Sequence, residues 1–197
     1  KNIPFVLALK HSDDIAIESL RSIRTASHFA LGQAKNNIIM ISGPAPKVGK
    51  SFVCSNLAVI MAEKNKRVLV IDADLRRGHI HKYFDLDHQN GLTEYLNEQI
   101  TLEQTIQNTN LPNLNVITCG KSSTHPSELL NSVCFQELLQ SVIPHYDHII
   151  IDTPPVLAVT DATIVDRYVG LNLVVARYAK THMKALELTL NRFKQAG

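Results

Sequence analysis

The residues best equipped for chemistry lie together in Gly43-Pro44-Ala45-Pro46-Lys47-Val48-Gly49-Lys50-Ser51-Phe52. This stretch stands between an apolar run at 38–41 and a helix-like segment at 52–64. A Gly-Lys-Ser at a strand-to-helix turn is suited to holding the phosphates of a nucleotide. The loop N–H groups and the helix N-terminus face the anion, the lysine reaches the β- and γ-phosphates, and the hydroxyl holds Mg²⁺. The spacing departs from the usual one. A glycine is expected five residues before Gly49, where Pro44 stands, and Gly43 comes one place earlier.

Three carboxylates follow two other apolar runs. Asp72 and Asp74 close the stretch 67–74, and Asp152 closes 147–152, just before Thr153-Pro154-Pro155. Carboxylates at strand ends beside a phosphate loop can hold Mg²⁺, directly or through water, and can take a proton from an attacking hydroxyl. One such Asp alone serves equally well as the cap of a turn. Three of them arriving with Gly-Lys-Ser point to a Mg²⁺-nucleotide site.

The elements that must position these groups are legible as alternating periods. Runs rich in Val and Ile at 38–42, 67–71, 114–118, 148–151 and 171–176 are continuous rather than alternating, as strands covered on both faces require. A helix is expected from about Asp14 to Gly32, opened by an Asp cap. Thr101-x-x-Gln104 reads as a capping box, and Met183, Leu186, Leu190 and Phe193 recur at helical spacing. The pattern predicts an α/β P-loop NTPase fold, with a mostly parallel central sheet, helices on both faces and ligands at the carboxyl ends of the strands. One domain over 1–197 is expected. With 45% apolar residues the chain can bury a core, and a net charge of +2 offers no case for a nucleic-acid partner. Cys54, Cys119 and Cys134 form no CxxC and are expected to be reduced, packed thiols. No apolar run approaches the roughly eighteen residues of a membrane span.

Taken together, Gly43…Lys50-Ser51, the run 70–78 (Val-Ile-Asp-Ala-Asp-Leu-Arg-Arg-Gly) and the run 149–155 (Ile-Ile-Ile-Asp-Thr-Pro-Pro) resemble the cytoplasmic domain of bacterial tyrosine kinases. These BY-kinases are the autokinases of capsule and exopolysaccharide export, and the three segments match their Walker A, A′ and B motifs. The resemblance also takes in Gly91-Leu-Thr-Glu-Tyr-Leu96, Pro126-Ser-Glu-Leu-Leu130 and Glu18-x-x-Arg21-x-x-Arg24, the last similar to the family's ring-forming motif. It implies that Lys50 binds the β- and γ-phosphates of ATP and that Ser51 ligates Mg²⁺. Asp72 and Asp74 would organise the metal and help deprotonate a tyrosine, and Asp152 would complete the metal shell. Residues 18, 21 and 24 share about a third of a helix circumference, which by itself is an ordinary solvated face. The resemblance makes Glu18, Arg21 and Arg24 an oligomer interface.

What the resemblance further implies is an autokinase that phosphorylates tyrosines of a neighbouring subunit in a homo-oligomeric ring. The chain would be the cytoplasmic part of a bacterial inner-membrane protein, joined to the membrane-spanning polysaccharide co-polymerase segments of the same polypeptide. A phosphotyrosine phosphatase would be a partner. The chain reads as a fragment, because a parallel sheet would take a further strand after the last helix and acceptor tyrosines would lie past Gly197. Tyr83, Tyr95, Tyr146, Tyr168 and Tyr178 are scattered and read as packing residues.

Some departures narrow the reading. Partition and septum-site ATPases carry a lysine where this chain has Ala45; Lys47 is in the same loop but displaced. Some relatives have a gating tyrosine directly after Arg-Arg-Gly, where His79 stands here. His79 and His81 have H-x-H spacing but no third ligand nearby, and read as solvated loop residues. Arg76 and Arg77 are either solvated or available to a transferring phosphate. The alternatives to a kinase are a partition-type ATPase, which uses water as acceptor, and a nucleotide-sensing scaffold without phosphotransfer.

Overall fold

The Val- and Ile-rich runs form parallel strands, and the order in which they pair decides what meets at their ends. A computed structural model describes residues 5–196; residues 1–4 and Gly197, and so both ends of the expected 1–197 domain, lie outside the described residues. The elements are α1 (Leu7–Lys10), α2 (Ile15–Leu31), β1 (Ile38–Ser42), α3 (Lys50–Ala62), β2 (Val68–Asp72), α4 (His81–Phe84), α5 (Leu92–Leu96), α6 (Leu102–Thr105), β3 (Gln107–Asn108), β4 (Leu114–Ile117), α7 (Pro126–Leu130), α8 (Val133–Val142), β5 (His148–Asp152), α9 (Asp161–Asp166), β6 (Leu171–Val174) and α10 (Met183–Ala196). The sheet order is β3-β4-β2-β5-β1-β6. All pairings are parallel except that of β3 with β4.

Side-chain alternation along the strands divides the core into two layers. Ile38 and Met40 of β1, Leu69 and Ile71 of β2, and Ile149 and Ile151 of β5 pack with Phe135, Leu138 and Leu139 of α8. Their neighbours Ile39, Ile41, Val68, Val70 and Ile150 face α3 through Cys54, Leu57, Ala58 and Met61. Burial on both faces explains why these strands read as continuous apolar runs. Helix α2 lies outside this layer, held on α3 by Ile17, Leu20 and Ile60.

The expected boundaries hold to within a few residues, with physical reasons for the shifts. Asp14 caps α2 through a 2.8 Å bond from the Ala16 N–H. Thr101 and Gln104 cap α6 reciprocally. Helix α3 starts at Lys50, earlier than expected, because Gly49 adopts φ 110° and turns the loop directly into the helix. Its expected last residues, Glu63 and Lys64, belong instead to a 3₁₀ turn with Lys64 at φ 60°. The short antiparallel edge strand β3 was not expected; two residues carry no readable period.

Candidate active site

The strand order brings the three predicted segments to one place. β5 lies between β2 and β1, with Asp72 opposite Asp152 and Ile41 opposite Asp152 on the other side. The phosphate loop leaving β1 and the acidic loop leaving β2 therefore flank Asp152 at the carboxyl edge of the sheet centre, where open α/β sheets bind ligands.

The loop itself is built from its glycines and its contacts. At φ 110°, Gly49 occupies a conformation that L side chains rarely adopt. A Cβ on Gly43 would come within 2.8 Å of the Val175 carbonyl, so glycine at 43 rather than 44 is a packing requirement. Val156 donates to the Gly43 carbonyl (3.0 Å) and Leu157 to the Pro44 carbonyl (3.3 Å), tying the segment after Asp152 to the loop. The first turn of α3 has no side-chain cap, which leaves its N–H groups for an anion.

Beside this loop is a cleft of about 610 Å³, lined among others by Lys47, Lys50, Ser51, Phe52, Asp74, Tyr83 and Pro155. That volume is within the roughly 300–1,000 Å³ usual for ligand pockets. Lys50 is 8% exposed. Burial lowers its pKa, while Asp152 and Asp74 pull it back up. Gly43, Pro44, Ala45 and Val48 frame the loop rather than line the cleft, whereas Pro46 and Gly49 do line it.

The three aspartates occupy different environments. The Ser51 hydroxyl donates to Asp152 Oδ2 at 2.6 Å, and Asp152 Oδ1 is buried with no hydrogen-bond partner among the described residues. A buried carboxylate oxygen left without a donor, next to a serine hydroxyl, suits a hard divalent cation such as Mg²⁺. Burial pushes the Asp152 pKa up to about 6, against the opposing pull of the Ser51 hydroxyl and Lys50. Asp72 is wholly buried, and both oxygens are engaged, Oδ2 by the Ile80 N–H (2.9 Å) and Oδ1 by the Asp74 N–H (3.2 Å). Burial, then Asp152 beside it, raises its pKa well above the carboxylate range. Gly78 is needed here because a Cβ would come within 2.6 Å of Asp72 Oδ2. Asp74 is half-buried and lines the cleft, and its Oδ1 accepts from the Arg77 (3.0 Å) and Arg76 (3.3 Å) N–H groups. Asp74 is thus the carboxylate that faces the cleft, and Asp72 the one whose two oxygens are taken up by backbone N–H groups of the loop.

Several expectations change. Arg76 is not a free solvated cation: its guanidinium pairs with Asp161 (3.1 Å), whose carboxylate is fully buried and also accepts from Ser127 (2.5 Å). No local pattern joins positions 76, 127 and 161, and only the fold reveals the cluster. His79 is exposed as expected, but His81 is half-buried and its ring stacks on His88 at 4.8 Å. Tyr178 is 97% exposed, not packed, because it lies beyond the edge strand β6. Cys54 is buried and inert, its pKa raised by desolvation with Asp152 and Asp72 adding to it. Glu18, Arg21 and Arg24 are far from the cleft, on α2. There Arg21 pairs with Glu18 (3.2 Å) and Glu63 (3.6 Å), and Arg24 with Glu63 (2.7 Å) and the Ile60 carbonyl (3.0 Å).

An AAA-domain family model matches residues 36–196. The chain is 66% identical over its full length to "Tyrosine-protein kinase ptk" of Acinetobacter johnsonii, of which it spans 27%. The solved kinase domain of Escherichia coli tyrosine kinase ETK superposes with a TM-score of 0.95 at 45% identity, covering 100% of this chain and 77% of that one. The BceF tyrosine kinase domain follows at a TM-score of 0.91 and 42% identity, covering 98% of this chain and 78% of that one. Fold and family model define a P-loop domain of the AAA class. Within that class the chain belongs to the bacterial tyrosine kinases, and it corresponds to their kinase domain.

Proposed function

We propose that this chain is the ATP- and Mg²⁺-dependent catalytic domain of a protein-tyrosine autokinase. The observation that carries the proposal is the Ser51–Asp152 pair with its unpartnered Asp152 Oδ1, set beneath a cleft that also presents Lys50 and Asp74. Lys50 and the α3 N-terminus hold the phosphates, and Lys47 adds positive charge at the rim. Ser51 and Asp152 hold Mg²⁺, with Asp72 fixing the acidic loop from beneath. When bound, the metal neutralises the charge of the β- and γ-phosphates. A tyrosine Oη attacks the γ-phosphorus, the bond to the ADP oxygen breaks, and the phenolic proton passes to Asp74. Positioning and charge neutralisation supply most of the acceleration.

The chain spans 27% of the curated relative quoted above, so the wider role is a proposal for a longer protein. Residues 1–197 form one kinase domain on the cytoplasmic side of a bacterial inner membrane, attached to membrane-spanning co-polymerase segments. Acceptor tyrosines lie in a C-terminal tail of a neighbouring subunit, a phosphotyrosine phosphatase reverses the reaction, and the cycle controls capsule or exopolysaccharide polymerisation and export. The test is to incubate the full-length protein with Mg²⁺-ATP beside its Lys50→Met variant. Phosphotyrosine in the first and none in the second is expected. Phosphate release without phosphotyrosine would instead mean an ATPase, and ATP-dependent assembly without either would mean a scaffold.

The ring uses the face of α2 that carries Glu18, Arg21 and Arg24. Within one chain, Glu63 already engages Arg21 and Arg24, so ring formation requires those pairs to open or be shared. Exposed pairs of this kind contribute at most about 1 kcal/mol each, which makes the exchange inexpensive. Arg21→Ala with Arg24→Ala should lower the oligomeric mass in light scattering with little change in melting temperature. An unchanged mass removes these residues from the interface.

A further inference from the structure

The segment that follows β2 borders two cavities. One is the nucleotide cleft, and the other, of about 470 Å³, lies beyond the same segment, with Arg76 and Arg77 lining both. Strand order explains the arrangement. β2 has β5 on one side and β4 on the other, so the segment after it meets the end of each. The second cavity therefore also sits at the carboxyl edge of the sheet, where α/β folds bind ligands. Its two walls are tied together: the Ser123 N–H donates to the Leu75 carbonyl at 2.9 Å, and the Ser122 hydroxyl to the Arg76 carbonyl at 3.2 Å.

The charge of this cavity has one sign. Arg76, Arg77, His81, Lys82, His88 and Lys121 converge on it, and among the described residues no carboxylate lines it. Glu94, behind the turn at Gly120, is taken up by the Gly91 (2.9 Å) and Lys121 (3.1 Å) N–H groups. Asp161 engages Arg76 alone of the six. Among the described residues Arg77, Lys82 and Lys121 form no salt bridge, and all three are exposed. His81 Nδ1 is buried without a hydrogen-bond partner among the described residues, although its ring stacks on His88. A cleft lined by charges of one sign focuses its field and concentrates ligands of the opposite sign.

We propose that this cavity is a subsite for the acceptor polypeptide, taking an anionic side chain, carboxylate or phosphate, that lies a few residues from the tyrosine being phosphorylated. The proposal rests on the kinase reading of the neighbouring cleft. A chain that presents its hydroxyl to Asp74 lies against the wall that Arg76 and Arg77 share between the two cavities, so its flanking residues reach the second one. Arg76, clamped by the buried Asp161, fixes that boundary. Arg77, Lys82 and Lys121 stand at the surface, where they meet the incoming charge. The subsite performs no covalent step; it selects which tyrosines enter the cleft.

The experiment presents this 197-residue chain with tyrosine peptides of equal length whose flanking residues are Glu, Gln, Lys or phosphotyrosine. Binding is measured by fluorescence anisotropy, and phosphorylation with Mg²⁺-ATP by mass spectrometry. The Glu and phosphotyrosine peptides should bind roughly 5–10-fold more tightly than the Gln peptide, as two partly exposed ion pairs allow. Lys82→Ala with Lys121→Ala should bring the Glu-to-Gln ratio close to one. Lys82→Glu with Lys121→Glu should turn the preference toward the Lys peptide, which loss of a merely structural contact would not do; unfolding temperatures show that the fold is kept. Preference for the phosphotyrosine peptide alone supports the subsite and assigns it to phosphate. Equal binding of the Glu, Gln and phosphotyrosine peptides, or a preference unmoved by both pairs of substitutions, overturns the proposal, and peptide phosphorylation then leaves the kinase reading standing. Anion-selective binding with no peptide phosphorylated overturns the kinase reading and the acceptor role with it.

Discussion

Lys50→Met should reduce phosphotyrosine formation by about 10²–10³-fold or more, the loss typical of removing one preorganised charge-stabilising group. Its effect on the ligand-free fold should have the opposite sign or vanish. Lys50 is 8% exposed, and the largest influence on its ammonium is the cost of desolvation, only partly offset by Asp152 and Asp74. A lysine whose pKa is lower in the folded than in the unfolded chain is a burden on folding wherever it stays charged. Methionine has similar length and no charge, so the unfolding temperature without nucleotide should be unchanged or higher. Scanning fluorimetry and a phosphotransfer assay on the same preparations test both halves. A variant that is inactive because it is unfolded would contradict this account of Lys50, as would one that keeps full activity.

The second large effect is expected at Asp152. Its folded pKa of about 6 exceeds the unfolded carboxylate value near 3.9. Between those values the folded chain holds a proton that the unfolded chain has released. Stability of the ligand-free protein therefore falls as pH rises through this window, by up to about 1.4 kcal/mol per pH unit from this group. Asp152→Asn removes that slope and also relaxes Asp72, which Asp152 pushes upward. His81 and His148, lowered by burial, act in the opposite sense at low pH, and the wild-type-minus-variant difference cancels them to first order. Cation binding needs the carboxylate form, so Mg²⁺-ADP affinity of the wild type should climb with pH and level off above about pH 6. The variant should lose the pH step and at least the roughly 10–100-fold of affinity that follows loss of a metal-site partner. Calorimetric titration with and without Mg²⁺ measures this. Equal Mg²⁺ dependence in the two proteins would remove Asp152 from the metal site.

Part of this site is local and therefore readable along the chain. Gly49 must be glycine because its φ of 110° excludes side chains, and Lys50-Ser51 follow because the loop turns directly into α3. Asp72 and Asp152 end apolar runs because strands buried on both faces stop at the first charge that can reach the edge of the sheet. What is not local could not be read. Asp72, Asp74 and Asp152 look alike in sequence, yet one is engaged at both oxygens, one opens to the cleft, and one has a buried oxygen free for a cation.

The sequence by itself determined the strand-and-helix alternation, the phosphate loop and the identity of its acidic partners, because these depend on backbone conformation and burial period over a few residues. Only the tertiary structure decided that β5 lies between β2 and β1, since strand order arises from long-range packing. That order places Asp152 against Ser51, 101 residues away. The same long-range packing joins Arg76 to Asp161 and puts Tyr83 in the wall of the cleft. A residue's partners across the sheet depend on which layers pack together, and no short window of sequence carries that information.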